Sequence, residues 1–350
     1  DHGVKGMPLA EHIDLPEWCR HIGTTKLLVS ASGRGFLLDV GGPSALKSLE
    51  AFRAEGLVKG IDGIFATHAH NDHTAAIAEA AELFGCPVYA TPEVAPVLAR
   101  PGDWFLPGVT PNVVEPVVTK QDGESMKWEE FTFTFRAFPG QMLNHGALLA
   151  EKEGAAPVFF IGDSFSPSGI DDYCLMNRNL MREDSGYLKC FTIVAGMPKG
   201  TWLVNQHIPH LFRFNEIETD FLLLRYRERI KMISGFVAWD DVNFAIDEQW
   251  AWFHPYGIEA KRGETVALTI RLSNHSTEER TYSVSVNSPF PEGADTDSLR
   301  LAARSEGEIT FQLAIPAAAA PGVQVVTANV ARSDGLILPH WAEALIKVVE

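Results

Sequence analysis

Cysteine is scarce and unpatterned in this chain: there are four, Cys19, Cys86, Cys174 and Cys190, in 350 residues, with no CxxC or CxxxC spacing. Neither a zinc knuckle nor a redox pair is therefore expected, and four thiols suit free core cysteines, although an even count could also hide a disulfide. Positive charge is short as well, with 29 Lys and Arg against 45 Asp and Glu and a formal net charge of −16. Attraction to a phosphate backbone needs clustered cations that displace counterions, so nucleic acid is not an expected partner. No apolar run approaches the roughly 18 residues that a membrane-spanning helix requires. The opening stretch DHGVKGMPLAEHIDLP has neither the pattern of a signal peptide nor an initiator Met. It reads as the start of a processed product or of a piece cut from something longer, its cellular address removed.

What is present describes a globular protein with ample core. An apolar fraction of 46% is ordinary, and the length favours two compact units. Up to about residue 255, strand-like and helix-like segments interleave. KLLVSASGRGFLLDVG reads as two strands with a turn, GIDGIFATH as a strand buried on both faces, and TAAIAEAAELFGCP as a helix stopped by Gly85 and Pro87. WEEFTFTFRAF alternates strictly, APVFFIGD and TWLVNQH are short strands, and NEIETDFLLLRYRERIKMI is a long helix. This pattern predicts a layered α/β body over residues 1–255. From 256 to 350 the helical signal disappears. ETVALTIRLSN, EITFQLAIP and VQVVTANVA alternate at period two, which predicts a small all-β sandwich of immunoglobulin-like shape, with PAAAAPG as a loop inside it.

The chemistry concentrates in ATHAHNDHTAA, where His68, His70, Asp72 and His73 follow a buried strand and precede a helix. In extended chain, residues two apart point the same way, so His68 and His70 can grip one ion together. Asp72 and His73 fall where the helix begins and turn toward a second point. Neutral imidazoles and a carboxylate at a strand's C-terminal edge are ligands of the kind that zinc or iron takes.

HAHNDH resembles the HxHxDH motif of the metallo-β-lactamase superfamily, and three further segments match in order: FPGQMLNHG, IGDSF with Asp163, and WLVNQH ending at His207. The resemblance covers about residues 16 to 235, with a glyoxalase II-like dinuclear site. It implies an αββα sandwich and two divalent metal ions, zinc first, with iron and manganese as alternatives. It also implies ligands His68, His70, His145 and Asp163 for one ion and Asp72, His73, Asp163 and His207 for the other. A hydroxide bridging the two would attack an ester-type bond, with Asp72 as the catalytic proton acceptor. The third motif departs from the family's PGHTxGH. Aligned on Pro139 and Gly140, the ligand position falls on Gln141, and His145 comes later, so His145 is expected to reach the metal through a reshaped loop, or Gln141 faces it instead.

Beyond Asp163 the polar stretch SFSPSGIDDYCLMNRNLMRED offers substrate contacts: Ser166, Asp171, Asp172, Tyr173, Asn177 and Arg178, with Arg178 able to anchor an anionic group. His210, three residues after His207, is a further candidate, and Cys174 is expected to be structural. The resulting expectation is a dinuclear metallo-hydrolase acting on a small-molecule or glycan-linked thioester, lactone, phosphodiester or sulfate ester. The alternatives are a non-catalytic protein with a degenerate site and a di-iron oxidoreductase. The second domain resembles modules appended to extracellular carbohydrate-active enzymes, which points outside the cytoplasm; a packing role or a homodimer contact is the competing expectation.

Overall fold

Strict alternation in WEEFTFTFRAF folds as the strand Phe131–Ala137, with Phe131, Phe133 and Phe135 completely buried on one side. The computed structural model describes residues 10–171, 173–290 and 296–350. By internal contacts the chain divides into two units: residues up to Pro101 with Pro107–Met232, and Gly102–Leu106 with Ile233–Glu350.

The first unit holds two sheets. One has seven strands in the order Glu11–Asp14, His210–Arg213, Trp202–Val204, Val158–Phe160, Gly146–Lys152, Phe131–Ala137, Ser125–Trp128. The other has six, in the order Cys19–Ile22, Thr25–Val29, Arg34–Leu38, Gly60–Phe65, Val88–Ala90, Val117–Thr119. Leu28, Phe36, Leu38 and Phe65 of the six-stranded sheet form one apolar cluster with Phe131, Phe133, Phe135, Leu148 and Phe160 of the other. On the outer side of the six-stranded sheet, Leu27, Leu37 and Ile64 pack against Leu46, Leu49, Ile77 and Ala80 of helices Pro43–Ala54 and Ile77–Phe84. Aromatic contacts from Phe159 through Phe138 and Phe165 to Tyr187 and Phe191 attach helix Gly186–Ala195 to the seven-stranded sheet. The layering is therefore helix, sheet, sheet, helix, the α/β arrangement expected. Val158–Phe160 and Trp202–Val204 are apolar throughout because both of their faces are covered.

Strand ends position the chemistry. Arg34–Leu38 is followed directly by Asp39, and Gly60–Phe65, Val158–Phe160 and Trp202–Val204 lead, after two residues each, into the HAHNDH segment, Asp163 and His207. His68 pairs with His145 in a single antiparallel bridge, and the Gly146 N–H donates to the Thr67 carbonyl at 2.6 Å, which ties the third motif to the first.

Among its described residues the second unit is β-stranded, apart from residues that enter it from helix Glu216–Phe236 and from the short 3-10 helix Pro101–Asp103. A three-stranded sheet (Ala251–Phe253, Thr265–Ser273, Glu306–Ala314) and a five-stranded sheet (Gly257–Lys261, Ile337–Val349, Gly322–Arg332, Arg280–Asn287, Thr296–Leu301) share one core containing Trp250, Leu268, Ile270, Tyr282, Phe311 and Val326. Among the described residues, no helix is long and apolar enough to cross a membrane. All four cysteines are free, so the even count hides no disulfide.

Candidate metal centre

His70 is extended (φ −62°, ψ 147°) and caps the four-residue helix Asn71–Thr74, so the chain turns sharply between the second and third histidines. Two groups of donors result. The Nε2 of His68 lies 3.2 Å from the Nδ1 of His70. Two nitrogens each about 2.0–2.1 Å from one tetrahedral zinc would stand about 3.3 Å apart, so this pair has the spacing of a shared ion. In the second group the Asp163 Oδ2 lies 3.1 Å from His73 Nε2 and 3.0 Å from His207 Nε2. Asp72 Oδ2 closes it, 3.5 Å from His73 Nε2 and 3.3 Å from His207 Nε2. Asp163 also faces the first group, with His68 Nε2 at 4.0 Å. His68 and His73 are fully buried, while the Asp72 and His207 side chains are each 50% exposed, so the cluster opens to solvent on that side.

Charge is distributed accordingly. Burial holds the imidazoles of His68 and His70 below their usual range, leaving them neutral with lone pairs available. For His73, burial works against the charged form, but the charge of Asp163 and hydrogen bonds that the imidazole donates to Asp163, Asp39 and Asp72 outweigh it and raise the pKa. Hydrogen bonds to Asp163 and Asp72 push His207 up to about 9. Bonds from His207 and His73 depress Asp72. Asp163 is depressed too, since the neighbouring histidine charges and hydrogen bonds, His73 foremost, overcome its burial.

Sequence reasoning missed Asp39. Its buried carboxylate accepts the Thr67 N–H on Oδ1 at 2.7 Å, and on Oδ2 the Thr67 hydroxyl at 2.7 Å, His73 Nδ1 at 3.0 Å and Gln206 Nε2 at 2.9 Å. The bond to His73 Nδ1 fixes the tautomer that leaves Nε2 toward Asp163. The available signal was an acidic residue ending the apolar run GFLLDV just before Gly41 and Gly42. Asp39 has φ 59°, a conformation that Asp tolerates better than most residues.

In the third motif, Gln141 Nε2 lies 3.4 Å from Asp163 Oδ2. His145 is fully buried, stacked on His68 with centroids 4.8 Å apart, and its Nε2 accepts the Asp163 backbone N–H at 3.4 Å. Gly162 makes room for that ring, since a Cβ there would come within 2.4 Å of Nε2. Buried polar atoms without a hydrogen bond here include Gln141 Oε1, Asp163 Oδ1 and His145 Nδ1. An anionic oxygen and an amide oxygen left bare inside a cluster of imidazoles suit a bound cation, because unpaired buried acceptors are otherwise costly. The donor set, histidine nitrogen with carboxylate oxygen and an open side, fits zinc.

The proposed substrate contacts are dispersed. Arg178 and Asn177 are buried, Arg178 fully, in and beside the short helix Arg178–Leu180. Tyr173 is half-buried and its hydroxyl meets Asn177 Nδ2 at 3.5 Å. Asp171 is exposed, Ser166 bonds Ser168, and Asp172 lies outside the described residues. His210 begins the strand His210–Arg213, its ring 5.2 Å from that of His12. Cys174 is buried, its thiol 3.8 Å from the Gln141 carbonyl.

Residues 24–147 match the family model described as Metallo-beta-lactamase superfamily. The matched segment contains Asp39, His68, His70, Asp72, His73, Gln141 and His145. A hydroxyacylglutathione hydrolase of Marinomonas sp. (strain MWYL1) is 26% identical over 149 residues, 43% of this chain and 48% of that protein. The chain therefore spans about half the length of this curated relative. Among solved structures, BJP-1, a subclass B3 metallo-beta-lactamase of Bradyrhizobium japonicum, is 17% identical over 67% of this chain and 99% of that one, with a TM-score of 0.46. The metallo-beta-lactamase GOB-18 from Elizabethkingia meningoseptica is 18% identical over 65% and 100% of the two chains, with a TM-score of 0.46.

Proposed function

We propose that this protein is a metal-dependent hydrolase of ester-type bonds, with two divalent ions, zinc first, held around Asp163. The observation that carries the reading is the convergence on one carboxylate of two donor groups, His68 with His70 and Asp72 with His73 and His207. In this reading Gln141 completes the first group. The support is its buried Oε1, which has no hydrogen bond, on an amide whose nitrogen reaches Asp163, whereas the Nε2 of His145 is already engaged by a backbone N–H. When bound, such ions would polarise the oxygen of the substrate's electrophilic centre and lower the pKa of water. The protein's own residues would then do three things. Asp39 fixes the tautomer of His73, and Asp163 keeps the two groups at a common spacing. Asp72, half-exposed and with a depressed pKa, stays ionised and accepts a hydrogen bond from the attacking water, which orients it.

The relative named as a hydroxyacylglutathione hydrolase supports a thioester as the first substrate to try. Lactones, phosphodiesters and sulfate esters complete the panel. Tyr173, Arg178 and His210 stay proposed as substrate-facing residues, with burial of Arg178 favouring a role in shaping the cleft wall. For the second unit, two sheets around a single core support an immunoglobulin-like module. The test is elemental analysis of purified protein followed by the substrate panel, with metal-stripped protein as control. Two metals per chain and metal-dependent turnover of one ester class support the reading. Tightly bound metal without turnover on any of them favours a binding protein, and a bound iron pair that reduces oxygen favours the oxidoreductase.

A further inference from the structure

Lys26 is a fully buried lysine with no part in the chemistry above. It lies on the strand Thr25–Val29, opposite His21 and Leu38 in the two flanking strands. Its neighbour Leu27 packs against the helices, so Lys26 and Leu28 face the space between the sheets. Both hydrogen-bond partners of the ammonium are neutral: the Gln206 carbonyl at 2.6 Å and His21 Nδ1 at 2.8 Å. A lysine only donates, so that nitrogen of His21 must be the unprotonated one. Burial pulls Lys26 down to about 8, and burial together with the Lys26 charge pulls His21 down to about 4. Burying an ammonium against neutral acceptors is expensive, which raises the question of what the arrangement holds.

It holds Gln206, whose groups reach three segments of the candidate centre. The backbone N–H of Gln206 donates to the Gly162 carbonyl at 3.0 Å, its side-chain amide donates to Asp39 Oδ2 at 2.9 Å and to the Leu38 carbonyl at 3.1 Å, and the next residue is His207. The same hairpin touches the opposite segment. It turns in two residues, Gly23 (φ 62°) and Thr24, and the Thr24 hydroxyl donates to the Asp72 backbone carbonyl. Packing there is tight, since a Cβ on Gly41 would come within 2.1 Å of both that hydroxyl and that carbonyl. We infer that the hairpin Cys19–Val29 is a positioning clamp: Thr24 holds the Asp72–His73 segment, Lys26 holds the Gln206–His207 segment, and together they set the spacing of Asp72, His73 and His207. This rests on the metal-binding reading of those three residues. Thr24 and Lys26 act through the backbone of other residues, so they are positioning residues and touch neither metal nor substrate.

The test is zinc affinity, measured by competition with a chromophoric chelator, in wild type, Lys26→Met, Thr24→Val and Thr24→Ser, alongside the melting temperature of each metal-stripped protein. Methionine matches lysine in length and removes the donor and the charge; valine removes only the hydroxyl, and serine restores it. The clamp predicts zinc affinity at least tenfold weaker in Lys26→Met and Thr24→Val, recovery in Thr24→Ser, and stripped proteins that melt within a few degrees of wild type. Should Lys26→Met not fold, the Thr24 pair decides the question. Wild-type affinity in both Met and Val variants, or a fall in melting temperature with affinity unchanged, overturns the clamp while leaving the metal-binding reading intact. Failure of the wild type to bind zinc removes that reading and the clamp with it.

Discussion

Replacing Asp39 by Asn removes one charge and one acceptor while keeping the shape, and the structure dictates which way the amide must face. Three donors converge on Oδ2 (Thr67 Oγ1, His73 Nδ1 and Gln206 Nε2) and one, the Thr67 N–H, on Oδ1. With the amide nitrogen in the Oδ2 place, three donors would meet a donor. His73 could escape only by giving up its Nδ1 proton and keeping the one on Nε2, the atom that faces Asp163. The other orientation opposes a single pair, Asn NH2 against the Thr67 N–H, and is the cheaper one. It still leaves a buried backbone N–H unsatisfied, at about 1–3 kcal/mol, and turns the remaining bonds from charge-assisted to neutral, at roughly half their strength. Asp39→Asn should therefore cost the metal-stripped protein about 2–4 kcal/mol in urea unfolding at pH 7. Loss of the carboxylate behind His73 should weaken zinc binding by about 10–100-fold, the range for residues that orient a ligand. Stability within about 0.5 kcal/mol of wild type, inside the scatter of neutral substitutions, together with unchanged zinc affinity would refute the assignment of Asp39 as the group that satisfies these donors.

Other expectations follow from single sites. Gln141→His should tighten zinc at the His68 and His70 group by about tenfold or more, since imidazole is the better ligand, while His145→Ala should leave zinc stoichiometry unchanged; calorimetric titration reads both. Gly162→Ala combines a positive φ of 54° with a Cβ 2.4 Å from His145 Nε2, whereas Gly154→Ala has φ 76° and open space around it. Strain of about 1–3 kcal/mol is common to both, so urea unfolding should show the larger loss for Gly162→Ala, and equal losses would mean that His145 moves freely. Cys19 and Cys174 are buried, burial holds their thiols at about 12, and Cys190 is raised by the same cause, while Cys86 is half-buried at about 11. Alkylation of the native protein at pH 8 should label Cys86 alone, and slowly, as read by peptide mass spectrometry; prompt labelling of Cys174 would contradict its burial.

Much of the fold was legible because strands with one or both faces buried leave a period in the sequence. Phe131, Phe133 and Phe135 alternate because one side of their strand faces the space between the sheets, and Val266 to Leu272 alternate in the second unit for the same reason. Glu11–Asp14 left no such trace: all four of its residues are exposed, and it is a strand only through pairing with His210–Arg213. Ala251–Phe253 is three buried residues, too short for a period, and it pairs with Thr265–Ser273 across a bend that texture does not reveal. The HAHNDH cluster was legible because its residues are consecutive and of ligand type. Asp39, Thr24 and Lys26 were not, since each acts on a partner 28 or more residues away, Thr24 and Lys26 through that partner's backbone carbonyl. Buried lysine and aspartate become informative only when their partners are seen. Gln141 and His145 both reach Asp163, one its carboxylate and the other its backbone N–H, an arrangement that depends on how the loop 139–145 bends and that alignment on Pro139 and Gly140 could not supply.

The central claim, that two groups of donors around Asp163 make a metal-dependent hydrolase, is tested most directly by adding zinc back to metal-stripped protein while following hydrolysis of the best substrate of the ester panel. The account predicts no turnover without zinc, a rise that saturates near two equivalents per chain, and no recovery in Asp163→Ala at any zinc concentration. Turnover that survives metal removal, or full recovery in Asp163→Ala, would contradict it.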